Sequence, residues 1–156
     1  MLRKLPPVAV VLGIAGLLPF IGCGLGAISG SQRADVMLSA LIGYAAVILS
    51  FLGGVHWGFA LGEVPPRQPR LRLGLSVVPA LIGWVAVIIS LGLSATIALG
   101  VLIAGYIATL VVEVQGRQRG LVDAGYVWLR WPLTIVAVAM LVTVLVLRLA
   151  GARIVL

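Results

Sequence analysis

A chain of 156 residues, 62% of them hydrophobic and only 10% charged, with a mean hydropathy of +1.25, has too little polar material to cover itself in water, which excludes a soluble domain. Its net charge of +7 does not mark a nucleic-acid binder, because the arginines fall between apolar runs and form no basic patch on a separate folded surface. One cysteine, Cys23, excludes an intramolecular disulfide, and one histidine, His56, excludes a bis-histidine haem or multi-histidine metal site within one chain.

The first apolar run spans residues 5–28, with Arg3 and Lys4 before it and small residues near its end. This pattern resembles a signal peptide, but about 24 residues are enough to cross a bilayer, so the segment reads as a retained span. Pro6 and Pro7 suit a first helical turn, and Pro19 should kink the span. Further spans follow at residues 36–62, 72–92, 95–114 and 132–149. Each can cross a core of about 30 Å at about 1.5 Å per residue. Backbone groups cannot remain unpaired in lipid, so helices are expected throughout. The reading is one all-α membrane domain over residues 1–156, a polytopic bundle of five transmembrane helices.

The connections carry the charge. Arg67 and Arg70 lie in a proline-rich link and Arg72 just after it, and Arg117, Arg119 and Arg130 lie between spans four and five. These share a side with Arg3 and Lys4, while Arg33, Arg148 and Arg153 lie opposite. The positive-inside rule then puts the N-terminus in the cytoplasm and the C-terminus outside. Residues 120–131 read as an interfacial segment, with Asp123, Tyr126, Trp128, Arg130 and Trp131 as its anchors. The run at 41–50 echoes that at 81–90, as an inverted repeat would, but apolar helices drawn from few residue types also match by chance.

The richest segment is 50–63. Gly54, Gly58 and Gly62 recur every four residues and form a stripe on which another helix can pack closely. His56 lies about 200° around the helix from Gly54, on a stripe with Phe59 and Glu63. Ionisable groups at such depth usually face the protein interior or a polar cavity. His56 therefore reads either as a neutral imidazole bonded to a neighbouring helix or, with Trp57, Phe59 and Glu63, as the anchor for a ligand. Glu63 and Glu113 close spans beside arginines and read as interfacial ion pairs. A proton path through Glu63 and His56 has no continuation in the other spans, so a pump is not expected.

The runs 12–20, 50–58 and 129–134, above all Phe51-Leu52-Gly53-Gly54-Val55-His56-Trp57-Gly58, resemble domain-of-unknown-function family 3429. This is a family of transmembrane protein 69-like small polytopic membrane proteins. The resemblance implies a bacterial inner-membrane protein with a mitochondrial counterpart and carries over no catalytic residue or cofactor. Two functions are consistent with the sequence. One is a non-catalytic accessory or assembly subunit of a larger inner-membrane complex, respiratory or photosynthetic, whose partners are other membrane subunits or copies of itself. The other is a small transporter or binder of a hydrophobic molecule such as a quinone or lipid. No soluble-enzyme motif supports catalysis.

Overall fold

The structure, a computed structural model, describes residues 6–62, 69–120, 122 and 124–151, with the backbone alone for residues 69–72. It is all-helical, with α1 (Pro7–Ala15), α2 (Leu18–Ile28), α3 (Ala34–Gly62), α4 (Pro69–Gly92), α5 (Ala95–Gln118) and α6 (Ala124–Leu149). Together α1 and α2 form one membrane-length unit, so five segments are long and apolar enough to cross a bilayer.

The first span is broken rather than gently kinked. Pro19 lacks an N–H, and its ring crowds the carbonyl four residues back, at Ala15, where α1 ends. The Tyr44 hydroxyl reaches across from α3 and donates to the Gly16 carbonyl at the break, at 2.8 Å. At the far end of α5, Gly120 takes φ 70° and closes the helix, a conformation that only glycine adopts freely.

Two spans are longer than their hydropathy suggests. The fourth runs to Gln118, not 114, which puts Glu113 inside the helix. The last begins at Ala124, and Pro132 lies within it. Of the segment read as interfacial, residues 124–131 form the first two turns of α6.

The central helix is α3, packed on α2, α4 and α5, while α6 closes against α5 and α2. Leu41, Ala45 and Leu49 of α3 meet Leu99 and Leu102 of α5 and Leu141 and Val144 of α6, all fully buried. In lipid there is little hydrophobic drive between helices, so close backbone approach decides packing. A Cβ on Gly53 would collide with the Ser76 carbonyl of α4, and one on Gly83 would lie 2.8 Å from the Ala46 carbonyl of α3. These two glycines set the α3–α4 contact. Large apolar side chains such as Val47, Phe51, Trp84 and Leu91 face outward, as a hydrocarbon solvent allows.

Candidate functional site

Among the described histidine, acidic and basic residues, three lie more than a turn inside a helix end on the side where α3 and α5 finish and α6 starts. His56 precedes the end of α3 by six residues, Glu113 that of α5 by five, and Arg130 follows the start of α6 by six. At about 1.5 Å per residue all three lie some 8–9 Å in from that end. Shared depth on neighbouring helices brings them together.

Glu113 is the centre of the cluster and is fully buried, at 0% exposure. Arg130 Nε donates to its Oε2 at 3.1 Å and, more weakly, to Oε1 at 3.4 Å. The Tyr126 hydroxyl donates to Oε1 at 3.1 Å. His56 Nε2 stands 3.3 Å from the same oxygen without hydrogen-bond geometry. Arg130 is 6% exposed. A buried carboxylate is tolerated only when paired and hydrogen-bonded, and here a guanidinium and a phenol do both. Around this centre, Phe59 contacts the rings of both His56 and Tyr126 edge-on, at centroid distances of 6.2 and 5.3 Å.

The cluster is incompletely satisfied. His56 Nε2, Arg130 Nη2 and Thr134 Oγ1 are buried without a hydrogen-bond partner among the described residues. Unpartnered buried polar atoms are rare in folded proteins and call for an explanation. Arg130 also lines a partly open cavity of about 350 Å³, walled by α1, α2, α3, α5 and α6. Its lining is otherwise apolar, for example Ala9, Gly13, Leu52 and Leu133, apart from Tyr106 and Tyr126. The Tyr106 hydroxyl donates to the Ala45 carbonyl at 2.9 Å, so it is already engaged.

The structure places the sequence-derived candidates as follows. His56 and Phe59 lie at the cluster. Trp57 is 45% exposed, and its indole N–H donates to the Leu73 carbonyl of α4 at 3.1 Å. Glu63 and Asp123 lie outside the described residues. Of the anchors, Trp128 and Trp131 face outward, at 70% and 47% exposure, whereas Tyr126 and Arg130 turn inward to Glu113. The anchor assignment is therefore corrected for these two: α6 begins early enough to carry them into the bundle. The interfacial reading of Glu113 is corrected for the same kind of reason, since α5 continues past it. Gly54, Gly58 and Gly62 are exposed, with nothing among the described residues within 4 Å of an added Cβ, so this stripe packs on none of the described helices. Sequence reasoning misplaced Glu113 at the interface and missed Thr134 and Tyr106. The first could have been found by measuring depth from the shared membrane side.

Five apolar helices around a buried ion pair define a multi-pass helical membrane protein with an internal polar site. The chain belongs to the family described as "Protein of unknown function (DUF3429)", which matches residues 5–146. It is similar to Transmembrane protein 69 of Xenopus tropicalis, 44% identical over 89 residues, covering 56% of this chain and 35% of that protein. Transmembrane protein 69 of Mus musculus is 35% identical over 86 residues, covering 54% and 35%. The matched region thus spans about a third of the length of these relatives. No solved structure matches the chain.

Proposed function

We propose that this protein binds a hydrophobic molecule within the bilayer, in the cavity beside the Glu113–Arg130 cluster. One observation carries this reading: a cavity of about 350 Å³ with largely apolar walls, lined also by Arg130 and Tyr126 of the buried cluster. Ligand sites of about 300–1,000 Å³ typically combine apolar walls with a few polar groups that fix orientation. The inner membrane of a bacterium, with the basic connections in the cytoplasm, is the proposed location, on the strength of the arginine distribution. The test is mass spectrometry of small molecules that co-purify with the protein in mild detergent. Ala9 lines the cavity from α1, which has no buried residue and so can shift to admit a larger side chain. Ala9→Phe should fill the space and remove a stoichiometric ligand from a protein that still folds. Retention of the same ligand by folded Ala9→Phe protein refutes the reading.

A second reading, an accessory or assembly subunit of a larger membrane complex, is favoured by the open stripe on α3. Gly54 and Gly58 are exposed beside Phe51 and Leu61, with open space above them, and small residues on an outward face suit helix–helix association in lipid. A Cβ on Gly58 meets none of the described residues within 4 Å, so the Gly58→Leu variant should fold. On this reading it should lose co-purifying protein subunits while His56→Ala keeps them. Unchanged subunit composition in Gly58→Leu refutes it.

A further inference from the structure

The cavity is a slot that follows two helices. Ala9, Gly13, Gly16 and Phe20 line it from the first span, and Tyr126, Arg130, Leu133 and Ala137 line it from α6. Both sets step by four, three and four residues, so each is a stripe along one face of its span. The two spans run side by side in the same direction: a Cβ on Gly13 would meet Leu129 and Leu133, and one on Gly24 would meet Met140. At about 1.5 Å per residue each stripe is about 16 Å long. It begins two residues inside α1 and α6 and ends, at Ala137, halfway along the 26 residues of α6. The slot therefore has the depth of one leaflet, about 15 Å of a hydrocarbon core of about 30 Å, and runs from one membrane surface to the bilayer middle.

The walls specify the rest. The polar groups on the lining are spent within the protein: the Tyr126 hydroxyl on Glu113, the Tyr106 hydroxyl on the Ala45 carbonyl and Arg130 Nε on Glu113, while Arg130 Nη2 is buried rather than presented to the slot. A molecule held there is recognised by its apolar body. The wall formed by α1 has no buried residue, and Leu12, on the slot's lining, is 65% exposed, so the slot can be reached sideways from the bilayer. A void open to hydrocarbon fills with hydrocarbon, because its lining otherwise forfeits dispersion contacts.

We infer that the slot holds one acyl chain of a membrane lipid, drawn from the leaflet on the side where α6 starts, with the headgroup left at the membrane surface. This rests on the ligand-binding reading above and names the ligand's chemistry. An extended chain advances about 1.2 Å per bond, so roughly 13 bonds match a stripe of about 16 Å. A palmitoyl chain is long enough to reach the far end at Ala137.

The test is photolabelling in bilayers. The protein is reconstituted into phosphatidylcholine vesicles containing a phosphatidylcholine with a diazirine at the end of a palmitoyl chain, and labelled residues are located by mass spectrometry. Ile135 and Ala137 lie at nearly the same depth on α6, but Ile135 is 56% exposed and Ala137 is 3% exposed. Boundary lipid labels the first, and a chain in the slot labels the second. Both labels are expected in the wild type. Ala9→Phe should lose the Ala137 label and keep that on Ile135. Leu12→Trp, which enlarges a lining side chain exposed enough to tolerate the change, should do the same. A long-chain ubiquinone added at one molecule per protein should leave the Ala137 label in place. Loss of that label to the quinone means that a ring-bearing ligand is preferred, and overturns the acyl-chain inference while the binding site stands. Labelling of Ile135 alone, in a wild type that carries a stoichiometric ligand other than a lipid, does the same. An Ala137 label that persists in folded Ala9→Phe and Leu12→Trp proteins, or the absence of both that label and any stoichiometric ligand, overturns the binding-site reading and the acyl-chain inference with it.

Discussion

Replacing Glu113 by Leu should be among the most damaging single changes in this chain. The substitution leaves Arg130 charged, 94% buried and without its acceptor, and removes the acceptor of the Tyr126 hydroxyl as well. Breaking a buried pair from one side costs about 3–5 kcal/mol, because the remaining charge is uncompensated. With about 2–4 °C of melting temperature per kcal/mol in a chain of this size, the expected drop is roughly 6–20 °C. Arg130→Met should cost a similar amount, by stranding the carboxylate. The combination Glu113→Leu with Arg130→Met strands neither charge, and an apolar pair of similar volume is often neutral or stabilising. The double variant should therefore melt above either single variant. The assay is thermal unfolding in detergent, read by dye labelling of the half-buried Cys23 thiol or by intrinsic tryptophan fluorescence. A double variant whose loss equals the sum of the two singles would refute the reasoning, since additivity means that the groups do not interact.

Three further outcomes can be measured in the same way. Gly53→Ala should destabilise by about 1–3 kcal/mol through overpacking against the Ser76 backbone, whereas Gly54→Ala, one position along and facing open space, should not destabilise; a reversed order would show that α3 is rotated from the packing described. Tyr44→Phe should cost about 0.5–1.5 kcal/mol by leaving the Gly16 carbonyl without its donor, and faster amide exchange at the break between α1 and α2 would accompany it. Asp35→Asn should leave the melting temperature nearly unchanged, because its contact with Arg148 is long, at 3.6 Å, and Asp35 is exposed; a large drop would show that the pair is shielded.

The five spans, their order and the helical class are legible in the sequence, because backbone groups in lipid force helices and length sets the count. Helix ends are less legible. Ending the fourth span at 114 follows the fall in hydropathy, yet α5 continues to Gln118 because a helix in lipid runs on until its last carbonyls reach polar surroundings. Starting the fifth span at Pro132 treats proline as a boundary, yet α6 carries it in its third turn, as membrane helices tolerate. These two boundary shifts hide the site, since they turn Glu113, Tyr126 and Arg130 into surface residues.

Which face of a helix turns inward is harder still. In water the polar face marks the outside, but in lipid both faces are apolar and the hydrophobic pattern loses its contrast. On α3, Gly53 and Gly54 are neighbours in sequence and about 100° apart around the axis. One touches the α4 backbone and the other faces outward with Val47, Phe51, Gly58 and Leu61. The four-residue glycine spacing singles out the outward stripe, because regularity alone does not say which stripe is buried. Charge does say so. An ionisable side chain more than a turn inside a span cannot face hydrocarbon cheaply, and it turns toward a partner of opposite sign at its own depth. His56, Glu113 and Arg130 meet that condition together. Their common distance from one membrane side would have oriented α3, α5 and α6 toward one another before any packing was known.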